Sequence, residues 1–222
     1  DLKTYIKKLF KILNTDTNKR NDYPKFLQEF PYVNGGLFAN EYEIPNFSKQ
    51  SRKIIIECGE LDWASINPDI LGSMMQAVVH RVSRDEMLMH YTSVPNILKI
   101  IKPLFLNEIL ENLDKAENDK NKLKNILKKI YGYKFFDPAC GSGNFLIITY
   151  KQLCMIEIEI YKRFKVIDKN NWLLIKSGIR LNQFYGIESD DYAHETAKLS
   201  LWLAEHQMNI VFKEVFGETR PT

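Results

Sequence analysis

The residues best suited to chemistry lie in one run, Asp137-Pro138-Ala139-Cys140-Gly141-Ser142-Gly143-Asn144-Phe145. An acid ends a short apolar stretch, two glycines permit a tight turn and close approach to a ligand, and a helical pattern begins at Asn144. Such a turn aims backbone N–H groups and the positive end of a helix dipole at an anionic group. An ordinary strand-to-helix turn also favours glycine, so the pattern needs corroboration. A dinucleotide fingerprint would put its third glycine where Leu146 stands, and a phosphate loop would follow Gly143 with lysine and not Asn144. Both phosphate readings fail. What remains is a cofactor with a small carboxylate and a ribose. Glu188, at the end of the run Phe184-Tyr185-Gly186-Ile187-Glu188, is the expected acceptor for the sugar hydroxyls. It follows Gly143 by 188 − 143 = 45 positions, because two helical segments intervene.

Two buried parallel strands, Lys134–Asp137 and Phe184–Glu188, must position these groups. Between them the spacing predicts a long helix from Asn144 to about Phe164 and a second over Asp168 to about Arg180; another covers Asp190 to Gln207. The order is strand, glycine loop, helix, helix, strand, helix, the start of a Rossmann-like α/β sheet. Upstream the pattern is helical. Leu2, Tyr5, Ile6, Leu9, Phe10 and Leu13 repeat at helical steps, and Ser48 or Ser51 caps a helix carrying Ile54 to Leu61. Another helix is predicted over Ile70 to Val79, short ones start after Pro95 and Pro103, and Tyr23 to Ser48 reads as an aromatic-rich loop. Residues 114–134 hold seven lysines among Leu123, Ile126, Leu127 and Ile130, a surface helix with a solvated basic face. The expected division is a mainly helical region over 1–130 and a partial Rossmann-like domain over 131–222.

Composition narrows the class. At 222 residues, 45% hydrophobic and 27% charged, the chain has ordinary globular usage and no run of the length a membrane helix needs. Cys58, Cys140 and Cys154 form no CxxC pair, which points to a reducing cytoplasm and not a disulfide framework. Net charge is 31 − 28 = +3, too mild to prove a nucleic-acid partner. His80, His90, His194 and His206 show no metal-ligand spacing, and no acid cluster of a restriction nuclease is apparent. The chain begins at Asp1 without a signal-like segment, so it reads as a piece of a longer cytoplasmic protein.

The glycine run resembles the S-adenosyl-L-methionine-binding motif of adenine-specific DNA methyltransferases, and Tyr185-Gly186-Ile187-Glu188-Ser189-Asp190 resembles their second motif. The resemblance extends to the large MmeI-like type II restriction–modification proteins through Tyr32-Val33-Asn34-Gly35-Gly36-Leu37-Phe38, His90-Tyr91-Thr92 and Phe216-Gly217-Glu218-Thr219. It implies that Tyr91 and Thr92 contact the methionine part of the cofactor. It likewise implies that Asp137, Ala139, Cys140, Gly141 and Gly143 surround that part, that Glu188 holds the ribose, and that Ser189 lies by the adenine ring. Read from composition alone, Tyr91 serves equally as core, and Cys140 as a small space-filler.

That family transfers its methyl group with Asn/Asp/Ser-Pro-Pro-Tyr/Phe, which holds a base flipped out of double-stranded DNA. None of the eight prolines here precedes another. The chain therefore offers no catalytic residue and is expected to be inactive alone. The function implied for the intact protein is methylation of the exocyclic amine of adenine in a specific duplex site. A methyltransferase acting on RNA or protein and a scaffold with a vestigial pocket are the alternatives.

Overall fold

A computed structural model describes residues 1–30, 32, 38, 43–61, 70, 92–168 and 177–218. The chain divides into two compact units, Asp1–Ile66 and Asn67–Thr222. In the first unit, α1 (Leu2–Leu13) starts on Asp1, whose side chain accepts from the Lys3 amide. The amphipathic helix read from the sequence is thus present, with Ile12 on its buried side. Arg20 is buried, and its guanidinium donates to the carbonyls of Thr15 (2.7 Å) and Phe30, which fastens the following loop. Among its described residues that loop holds a short helix, α2 (Lys25–Gln28), which its prolines and glycines had hidden. In α3 (Lys49–Gly59), Ser48 is the cap and accepts from the Ser51 amide at 3.0 Å. The helix thus begins a turn before its apolar residues.

In the second unit, α4 (Val94–Ile101) runs through a wider π-type turn, Lys102–Leu106, into α5 (Asn107–Ala116). Pro103 has no amide to continue the α-helical ladder, and the chain widens there without stopping. The two short helices expected around Pro103 are therefore one interrupted rod. The lysine-rich segment is α6 (Lys120–Tyr131); Leu123, Ile126, Leu127 and Ile130 form its buried side. Asp119 caps it by accepting from the amides of Asn121 and Lys122.

Strand β1 (Phe135–Asp137) leads through the glycine loop into α7 (Asn144–Ile167), and β2 (Phe184–Gly186) leads into α8 (Asp191–Phe216). The strands pair in parallel with Phe135 opposite Phe184, Phe136 opposite Tyr185 and Asp137 opposite Gly186. On the covered face Phe135 stacks on Phe184 with ring centroids 5.2 Å apart, and Tyr150 of α7 meets Phe184 edge-on. Farther along, Tyr161 of α7 packs edge-on against Phe212 and Phe216 of α8. The α/β class expected from the sequence is present as this two-stranded sheet under long helices. The helix expected over 168–180 is not seen in its described part: Asp168 and residues 177–180 are non-helical, and Leu181–Gln183 make a single 3-10 turn. Side chains hold that stretch instead. Glu157 of α7, fully buried, accepts from the hydroxyls of Tyr131 (2.7 Å) and Ser177 (2.8 Å). Helices α4 to α6 share one apolar core with α7 and α8. The change of texture near residue 130 is thus a change of element type inside one unit.

Candidate functional site

The ladder between the strands continues past their ends into the glycine loop. Ile187 donates to the Asp137 carbonyl and Cys140 donates to the Ile187 carbonyl, each at 3.0 Å. The Asp137 carboxylate accepts from the Ala139 amide at 3.1 Å and turns the chain out of the strand. Gly143 donates to the Cys140 carbonyl at 2.8 Å and closes the loop. Gly141 and Gly143 have φ of 54° and 82°, the left-handed region that side chains avoid. A Cβ on Gly143 would also lie 3.1 Å from the Cβ of Ala197 on α8, whereas one on Gly141 would meet nothing within 4 Å. The loop is therefore packed on one side and open on the other. Helix α7 starts on Gly143 with no side-chain cap, the kind of helix start that can receive an anionic group.

Glu188 closes the arrangement. Its Oε2 accepts from the Gly141 amide and its Oε1 from the Asp190 amide, both at 2.9 Å. Partial burial pushes this carboxyl upward. The backbone donors of Asp190, Gly141 and Ser189, with the Ser189 hydroxyl, outweigh that push and hold its pKa below the usual carboxylate range. The group stays ionised at neutral pH, with lone pairs left for further donors. Asp190 caps α8 by accepting from the Ala193 amide, which fixes the bend just after Glu188.

Cys140 is buried under the loop, and burial, followed by the neighbouring charges of Asp137 and Glu188, pushes its thiol up to about 11. A buried thiol held in its protonated form is a poor nucleophile and suits packing under the loop. Room for it comes from Gly186, where an added Cβ would lie 2.6 Å from the Cys140 sulfur. Sequence reasoning placed Gly186 and Asp190 in the second motif without a site role, and read Asp190 as the acidic start of a helix. A glycine inside an apolar strand was the available signal for close approach, and the paired acids 190 and 191 for a helix cap.

Of the sequence-predicted site residues, Asp137, Ala139, Cys140, Gly141, Gly143 and Glu188 come together at one end of the strand pair, with Ser189 exposed beside them. Thr92 is half-buried just before α4, and no hydrogen bond joins it to the loop among the described residues. Tyr91, like most of the Tyr32–Phe38 motif, lies outside the described residues. Among the described residues there is no acid, histidine and cysteine cluster fit for a metal, and no helix long and apolar enough to cross a membrane.

Two family models match the chain: the MmeI helicase spacer domain over residues 1–38 and the MmeI DNA-methyltransferase domain over residues 113–222. A solved structure of the type IIL restriction–modification enzyme MmeI in complex with DNA superposes on 99% of the chain with a TM-score of 0.82 and 40% identity. The chain belongs to the MmeI-like restriction–modification family. DNA methyltransferase A of Bacillus subtilis (strain 168) is 57% identical over 209 residues, 93% of the chain. The chain spans 24% of that relative and 30% of the solved MmeI chain. The matched methyltransferase domain contains the glycine loop and Glu188, so the groups brought together at the strand ends lie inside the part of the MmeI-like fold named for methyl transfer.

Proposed function

We propose that this region binds S-adenosyl-L-methionine for a DNA methyltransferase that modifies the exocyclic amine of adenine in duplex DNA. The observation that carries the reading is the meeting of Gly141 and Glu188 beyond the carboxyl ends of adjacent parallel strands, where α/β folds take their ligands. The residues fit the cofactor. The ionised Glu188 carboxylate can accept from both ribose hydroxyls, and the open side of Gly141 lets a ligand approach the backbone. Asp137, Ala139, Cys140 and Gly143 shape the loop that would surround the methionine part, Ser189 would lie against the adenine ring, and Thr92 with Tyr91 would complete the methionine end. When bound, the cofactor supplies an electrophilic methyl group on a sulfonium. The residues described here only hold and orient it. Capture of the target amine falls to a Pro-Pro-containing loop outside these 222 residues, so the chain by itself transfers no methyl group. On this reading residues 1–130 are a mainly helical region that includes the Tyr91/Thr92 motif, residues 131–222 serve cofactor binding, and the intact protein works on DNA in the cytoplasm.

Calorimetric titration tests the cofactor. Glu188→Ala should weaken S-adenosyl-L-methionine binding about tenfold or more, while Lys122→Ala, on the exposed face of α6, should leave it unchanged. Equal affinities for the two variants contradict the role of Glu188. Incubating the full-length protein with tritiated cofactor and a mixture of mixed-sequence duplex DNA, RNA and acceptor protein tests the acceptor. Label recovered as N6-methyladenine supports the reading, and label found only in RNA or protein overturns it.

A further inference from the structure

We propose that Gln183 is a positioning residue for the cofactor site: its buried amide sets β2 against β1 and so holds Glu188 at the Gly141 amide. This deepens the cofactor reading above and rests on it. Gln183 is 7% exposed, and its hydrogen bonds go to Arg180, Ile130, Tyr131 and Tyr133 and not to Gly141 or Glu188. Its Nε2 faces three backbone carbonyls, Ile130 at 3.2 Å, Tyr131 at 3.1 Å and Tyr133 at 3.0 Å. Its Oε1 accepts from the Arg180 amide at 2.7 Å. With a donor on one side and only acceptors on the other, the amide has a single satisfactory orientation.

The placement of these bonds gives them consequence. Ile130 and Tyr131 end α6, and Tyr133 lies two residues before β1; Gln183 immediately precedes β2. One side chain thus ties the entrance of the second strand to the entrance of the first. The strands are only three residues each, so their own ladder is short. A one-residue slip would turn every side chain of β2 over and carry Glu188 away from the loop. Apolar packing alone tolerates sliding, whereas a fork of hydrogen bonds to three fixed carbonyls does not. The Ser177 and Tyr131 bonds to Glu157 secure the same segment one step earlier, but they act on α7 and not on the strand entrance.

The Gly141 amide supplies a readout independent of the cofactor, because its partner is Glu188. Amide exchange and S-adenosyl-L-methionine titration are measured on the full-length protein, comparing wild type, Gln183→Met, Gln183→Asn and Leu113→Ala. Methionine keeps the volume and removes the donors. Asparagine keeps the amide but shortens its reach, and it carries the comparison should the methionine variant not fold. Leu113, buried in α5, gives a general loss of stability for reference. The expected result is that a Gln183 variant speeds Gly141 exchange and weakens cofactor binding, each about tenfold, while helical amides of α7 keep their protection. Leu113→Ala should lower protection throughout and leave the affinity of the folded protein unchanged. Gly141 protected equally in wild type and in a folded Gln183 variant overturns the proposal. If Gly141 responds to Gln183 but wild type binds no cofactor, the positioning role stands and the cofactor reading falls.

Discussion

Replacing Gly186 by alanine should loosen the site through contact with Cys140 alone. Gly186 has no positive φ, since the glycines in that region are Gly141, Gly143 and Gly217, so the substitution adds no backbone strain. The new Cβ would lie 2.6 Å from the Cys140 sulfur, 3.0 Å from its Cβ and 3.4 Å from a methyl of Leu146. Ordinary carbon contacts sit at about 3.5–4.0 Å, so the sulfur and β2 must separate by roughly 1 Å. Overpacking of this kind costs about 1–3 kcal/mol. A central value of about 2 kcal/mol speeds exchange of the Cys140 and Ile187 amides, which hold the loop to the strands, by about thirtyfold. Cys140→Ala alone should cost about 1 kcal/mol by leaving a small void. In the double variant the worst contact is gone, and the pair should cost less than the sum of its parts by about 1 kcal/mol, above the additivity error of about 0.3–0.5 kcal/mol. Rescue stays partial because the Cβ at 3.0 Å remains. Strict additivity, or a Gly186→Ala protein with unchanged loop protection, would show that the clash is relieved elsewhere and refute the reasoning.

Glu188→Gln should remove a pH-dependent part of loop stability, because an amide offers one acceptor where two amide donors arrive. The folded pKa of Glu188 is held below the ordinary carboxylate value, so its contribution is complete above that value and lost as pH falls through the lowered one. The protection factor of Gly141 in wild type should therefore exceed the variant's at neutral pH and converge on it in acid; a constant difference would count against the carboxylate. Alkylation with iodoacetamide at pH 8 should label Cys58, which is half-exposed, well before Cys140, whose thiol is buried and raised to about 11. Mass spectrometry that finds Cys140 modified first would mean the loop is open.

The glycine loop and Glu188 were legible because their chemistry is written in residue types at the ends of two short apolar runs. Both strands fall where expected, though each is three residues long and shorter than predicted. The helix boundaries were less legible. Pro103 looked like a start and proved to be a widening between two helices, since a proline forfeits one backbone bond and the helical chain continues on either side of it. Ser177 and residues 178–180 looked helical by periodicity, yet Glu157 and Gln183 hold them as an irregular link. No local pattern reveals that, because Glu157 lies 20 residues from Ser177 and the carbonyls that seat Gln183 lie 50 to 53 residues from it. Gln183 escaped notice for the same reason: a lone glutamine has no signature until the three carbonyls around it are known.

Helix α7, at 24 residues, is about 36 Å long, while the strands beneath its first turns span about 10 Å. Eight of its fourteen buried residues, from Leu153 to Phe164, lie beyond those first turns, and there Tyr161 packs with Phe164 and with Phe212 and Phe216 of α8. Stability of this kind is unevenly distributed, and the end bearing the loop can open as its own small cooperative unit while the body stays folded. A melting curve followed by helical circular dichroism then tracks the body and misses the loop. A preparation with full helix content can be inactive toward ligand without being denatured in any sense that such a spectrum records.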